Sequence, residues 1–157
     1  MTNKKPYNKG NFGENCMILY KEKFKIGKGS TYNSYCWFNA RFGINIGENT
    51  LIGPHVLMHS GNHVIAPYDI EQNANGPGSW CENNPDKRIY GDKIIIGDDV
   101  WIGANVTILS GSIIPDKCVI GAGTIITKSN SKKLKKGDVA VNDVDLKILK
   151  NRQDIKW

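Results

Sequence analysis

Several things are scarce in this 157-residue sequence, and each scarcity closes off a protein class. No apolar run approaches the roughly 20 residues that cross a bilayer, so no membrane span is expected. The four cysteines, Cys16, Cys36, Cys81 and Cys118, lie far apart without a Cys-x-x-Cys pair, which favours free thiols over a disulfide framework or zinc knuckle. The lysines among the first ten residues precede neither an apolar stretch nor a small-residue cleavage site; no secretory signal is read, and a cytoplasmic location is expected. Aromatic residues make up 9% of the chain, and none is interleaved with the basic residues Lys128, Lys132, Lys133, Lys135 and Lys136. The net charge of +6 therefore points to a solvated basic segment or a phosphate-bearing small ligand, and no nucleic-acid partner is expected.

Histidine is scarcer still. All three imidazoles fall in His55-Val-Leu-Met-His59-Ser-Gly-Asn-His63. A spacing of four would align them on one helix face, but Pro54 interrupts a helix there.

What is present is a period of six. Ile96, Ile102, Ile108, Ile114, Ile120 and Ile126 recur at that interval, and Val100, Val106, Ser112, Cys118 and Thr124 follow the first five at a second, smaller site. The same register runs earlier through Ile26, Tyr32 and Phe38, and again, after a two-residue slip, through Ile46, Ile52 and Met58. Such a rhythm fits neither a helix nor a simple alternating strand. It predicts a parallel β-helix, in which short strands turn corners and stack like side chains about 4.8 Å apart. Cys36 and Cys118 fall on the small inward site, whereas His55 falls at a corner and faces solvent. The expected coils cover about 26–61 and 94–128, within a single domain spanning the chain.

Between them, at about 64–93, the rhythm disappears into a stretch rich in Asn, Gly and Pro. A long inserted loop of this kind is commonly functional, and Tyr68, Trp80 and Tyr90 are candidates to line a pocket or cap the coils. The segment 129–157 is expected to form a short tail or helix.

Read together, Ile46-Gly-Glu-Asn-Thr-Leu-Ile-Gly-Pro-His-Val-Leu-Met-His-Ser-Gly-Asn-His63, Ile96-Gly-Asp-Asp-Val-Trp101-Ile-Gly-Ala-Asn-Val and Ile120-Gly-Ala-Gly-Thr-Ile-Ile-Thr-Lys128 resemble the hexapeptide-repeat acyltransferases. The similarity is to the branch that O-acetylates galactosides, maltose and polysaccharides. It implies an all-β, left-handed parallel β-helix that forms homotrimers with active sites between subunits. It also implies acetyl-CoA as co-substrate and a sugar hydroxyl as acceptor.

The family's general base closes the first motif and falls on His63, with His59 as the fallback. Imidazole suits the removal of a proton near neutral pH. Asp69, Glu71 and Asp92 are candidates to orient it. The resemblance places Asn39 and Trp101 at the acceptor and Ala104, Ala122, Thr127 and Lys128 along coenzyme A, Lys128 being a cation for phosphate. The family usually continues to Gly-Asn-Pro-Ala-Lys where this chain reads Val141-Asn-Asp-Val-Asp-Leu-Lys147.

Rival readings are transfer to an amine of a nucleotide-linked aminosugar, transfer to a streptogramin-type drug, and a three-histidine zinc enzyme. The last uses a five-residue histidine step that this chain lacks, and no metal is expected.

Overall fold

In the computed structural model, which describes residues 12–63 and 89–142 and the backbone of 146–151, the period of six becomes a left-handed parallel β-helix of about five turns. Its first face stacks β1 (Met17–Leu19), β4 (Trp37–Asn39), β7 (Leu57–His59), β12 (Thr107–Leu109) and β15 (Ile125–Ile126). The second stacks β2 (Phe24–Ile26), β5 (Ile44–Ile46), β10 (Ile94–Ile96) and β13 (Ile113–Ile114). On the third lie β3 (Thr31–Tyr32), β6 (Leu51–Ile52), β11 (Trp101–Ile102), β14 (Val119–Ile120) and β16 (Asp138–Asn142), edged by the antiparallel β17 (Leu146–Asn151). No helix among the described residues is long and apolar enough to cross a membrane.

Each strand is too short to persist alone, so stability comes from ladders running through the stack. Phe38, Met58, Ile108 and Ile126 align in register and are fully buried. Ile102 and Ile120 do the same on the third face. Cys36 and Cys118 occupy the small inward site, as the hexapeptide register predicts. Cys16, which the sequence left unplaced, is half-buried one coil below Cys36, whose N–H donates to Cys16 Sγ at 3.3 Å. Cys81 lies outside the described residues.

The two-residue slip has a structural cause. Asn39 and His59 stack with a separation of 20 residues, whereas Asp92 and Ser110 stack with one of 18. The early coils place the excess at the corner between the first and second faces, at Tyr20–Lys23 and at Ala40–Gly43. In the third coil the long insertion leaves from that same corner, between β7 and β10. Its base is an antiparallel pair, β8 (Gly61–His63) with β9 (Ile89–Gly91).

Two boundaries differ from the sequence reading. The coils begin at Met17, before Ile26, because Met17 and Ile18 stack under Trp37 and Phe38 without any isoleucine–glycine pair to announce them. The segment after Lys128 is neither tail nor helix alone. A single helical turn, α1 (Lys128–Ser131), is followed by β16, which completes the fifth coil by setting Ala140 against Ile120. Alanine in an isoleucine register hid that strand.

Candidate active site

The corner shared by the first and second faces brings together the polar groups singled out above. Asn39 ends β4 and His59 ends β7 directly over it. Asn39 Oδ1 accepts from the Arg41 N–H at 3.2 Å, which turns its amide nitrogen toward His59 Nε2, also at 3.2 Å. His59 Nδ1 lies 2.6 Å from the Gly61 carbonyl oxygen, a distance that places the ring proton on Nδ1. Both ring nitrogens are thereby engaged, and the imidazole stacks on Trp37 with centroids 5.5 Å apart.

His63 ends β8 opposite Ile89 and is exposed at the mouth of the insertion. The strand carrying it is held from beneath by Phe42, an aromatic in the corner of the coil below. A Cβ on Gly61 would sit 3.3 Å from the Phe42 ring; one on Gly91 would sit 2.7 Å from that ring and collide with the Ser60 carbonyl oxygen. Glycine is therefore required at Gly91, whereas a side chain at Gly61 would ask the Phe42 ring to give by a few tenths of an ångström. Phe42 was not identified from sequence, because its role depends on a register across the insertion.

The carboxylate candidates separate. Asp92 pairs with Lys128 Nζ at 2.8 Å across the corner, with both side chains about 60% exposed. Asp69 and Glu71, like Tyr68 and Trp80, lie outside the described residues. Tyr90 is on β9 opposite Asn62 and exposed.

Thr127 caps α1, its hydroxyl accepting from the Asn130 N–H at 3.1 Å. Lys128 and Lys132 border a surface pocket of about 250 Å³ with Gly111, Ile113 and Pro115.

The remaining residues stand elsewhere on the prism. Trp101 points outward from the third face, 51% exposed, and lines a pocket of about 370 Å³ with Tyr32, Leu51 and Phe12. Ala104 and Ala122 occupy successive turns of the corner between the third and first faces. A Cβ on Gly103 would sit 2.6 Å from the Ala122 nitrogen, so the close stacking of these corner turns requires glycine at position 103. At that corner His55 takes φ 57° and stacks on Tyr35, apart from the other two histidines. The site residues drawn from the resemblance thus divide between two edges: Asn39, His59, His63, Thr127 and Lys128 at one, Trp101, Ala104 and Ala122 at the other. Within one chain they do not form a single cleft.

Comparison with known proteins follows the same lines. A family model described as the hexapeptide repeat of succinyl-transferase matches residues 93–128. A maltose O-acetyltransferase from Clostridium difficile 630 is 30% identical with a TM-score of 0.72, over 90% of this chain and 66% of that one. A galactoside acetyltransferase in complex with coenzyme A is 27% identical with a TM-score of 0.68, over 91% of this chain and 65% of that one. A hexapeptide-repeat acetyltransferase from Vibrio cholerae O1 biovar eltor, complexed with acetyl coenzyme A, shares the fold at 20% identity and a TM-score of 0.68, over 92% of this chain and 72% of that one. This chain thus spans just under two thirds of the first two. No curated protein matches it.

Proposed function

We propose that this chain, which belongs to the hexapeptide-repeat acyltransferase family, moves an acetyl group from acetyl-CoA to a hydroxyl of a sugar or polysaccharide precursor. The observation that carries the reading is His63, an exposed imidazole on a glycine-based hairpin at the mouth of the insertion, at the corner that also holds Asn39 and Lys128.

In this mechanism His63 takes the acceptor proton as that oxygen attacks the thioester carbonyl. The new C–O bond forms, the C–S bond breaks, and the proton passes to the departing thiolate. His59 is the weaker candidate for the base, because its Nε2 faces the Asn39 amide and its Nδ1 proton is directed to Gly61. Asn39 contacts the acceptor. Lys128 serves a coenzyme A phosphate as a point charge, exchanging Asp92 for the ligand.

Trp101, Ala104 and Ala122 enter the same site from a neighbouring subunit. Three copies around an axis join the two edges of the prism that one chain keeps apart, and they cover the outward apolar row of Leu51 and Trp101. We place the enzyme in the cytoplasm, where acetyl-CoA is made.

The test offers purified protein acetyl-CoA with a galactoside, maltose, a nucleotide-linked aminosugar and a streptogramin, following free thiol. Thiol release with the neutral sugars is the expected result. Release confined to the amine or the drug would move the reaction to that acceptor class, and release with none of these, nor with a sugar phosphate or a uronate, would overturn acetyl transfer.

A further inference from the structure

The insertion divides its corner in two. Lys128 and Thr127 lie on the coil past it, on the side assigned to coenzyme A, whereas the corner turns of the first two coils lie before it. Those two turns hold a group that no step above uses. Arg41 Nη1 donates to the Tyr20 hydroxyl at 3.2 Å, and the guanidinium carbon lies 5.7 Å from the centre of the Tyr20 ring. Lys23 Nζ lies 5.8 Å from the same ring centre and donates to the Arg41 carbonyl oxygen at 3.0 Å.

Two cations are therefore drawn over one aromatic ring, and neither forms an ion pair with a carboxylate among the described residues. Glu22, the acidic residue of that turn, is exposed and pairs with neither. A merely solvated basic surface would let the two long side chains separate, since like charges repel and ordering them costs rotamer entropy.

The backbone carries an independent mark. Left-handed non-glycine residues recur in two columns, Asn15, Tyr35, His55 and Asn105 at one corner and Asn49, Asp99 and Lys117 at another, while the first–second corner uses the glycines Gly43 and Gly111. Tyr20, with φ 59°, belongs to neither column. A bulky side chain held in that region is strained, and such strain gathers at active sites and ligand clamps. Here the conformation brings the phenol to Arg41. The Arg41 N–H in turn holds Asn39 Oδ1, so the cluster adjoins the acceptor asparagine.

We infer that Tyr20, Lys23 and Arg41 form an anion-binding subsite on the acceptor side of His63, and that the physiological acceptor is a sugar bearing a phosphate or carboxylate. This rests on the acetyl-transfer reading and narrows its substrate class. The guanidinium keeps donors free beyond the one given to Tyr20, and the ammonium keeps two beyond the one given to Arg41, enough to hold an oxyanion in charge-assisted bonds.

The test is calorimetric titration of the full chain, without acetyl-CoA, with glucose 1-phosphate, glucuronate and glucose. The first two separate a phosphate source from a carboxylate source. At least one of them is expected to bind roughly tenfold more tightly than glucose, with the advantage shrinking as salt rises from about 50 mM to about 500 mM. Arg41→Gln and Lys23→Gln should each remove most of that advantage, while Lys133→Gln, the same charge change on the far coil, should not. Lys23 is exposed, so its variant keeps the test open should the Arg41 variant fold poorly. Equal binding of all three sugars, an advantage that survives both variants, or a loss of coenzyme A affinity in its place would overturn the subsite. Anion binding without thiol release would sustain the subsite while defeating acetyl transfer. Thiol release with neutral sugars alone, without anion binding, would do the reverse.

Discussion

The Asn39 amide nitrogen and the Nε2 of His59 stand 3.2 Å apart on consecutive coils, each orienting the other. Arg41 sets which end of the amide faces the ring, and Gly61 sets which ring nitrogen carries the proton. A double-mutant cycle on Asn39→Ala and His59→Ala should return a coupling of about 0.5–1.5 kcal/mol in urea unfolding. Additive losses would mean that the two side chains stand side by side without bonding.

His63 contributes little to packing. Its replacement by alanine should leave the unfolding free energy within about 0.5 kcal/mol of the parent. If it is the base, thiol release should fall by roughly 10²–10⁴ in kcat, the usual worth of a positioned proton acceptor. A folded His63→Ala protein with full activity would transfer the assignment elsewhere.

The Lys128–Asp92 pair is exposed on both sides and is worth little to stability. Lys128→Gln should shift the melting temperature by no more than about 2 °C. If Lys128 meets a coenzyme A phosphate, KM for acetyl-CoA should rise roughly tenfold with kcat nearly unchanged, as expected for a contact made equally in the ground and transition states. An unchanged KM would remove Lys128 from the donor site.

Burial pushes the Cys36 thiol from its ordinary 9.0 up to about 11, with Cys16 adding to the shift and backbone N–H groups opposing it. A raised thiol pKa means that the fold favours the neutral form. The associated stability is whole below pH 9.0, where folded and unfolded chains both keep the proton, and is lost as pH rises toward about 11 and the unfolded chain ionises first. Thermal melts from pH 9 to 11 should therefore fall more steeply for the parent than for Cys36→Ala, which lacks the group. Parallel curves would mean that the thiol ionises alike in both states.

The chain's own rhythm determined the architecture. A ladder of isoleucines at a fixed interval has one economical burial, stacked coils, and the same arithmetic put Cys36 and Cys118 inside and His55 at a corner. Where the rhythm weakened, the reading weakened with it. Ala140 fills an inward place too modestly to signal a strand, and Met17 begins a coil that no glycine marks.

The candidate site was read as residue types at chain positions: the family resemblance named Asn39, His63 and Lys128, and all three stand at the interrupted corner. Tertiary structure decided which of them meet. That Asp92 faces Lys128, that both nitrogens of His59 are engaged, and that Phe42 lies beneath the hairpin glycines all depend on contacts made at the corner after the chain has coiled. The repeat records which side chains point inward, because burial acts on every coil alike. Pairings at a corner are set by coil stacking and by the path of the inserted chain, and neither leaves a period in the sequence.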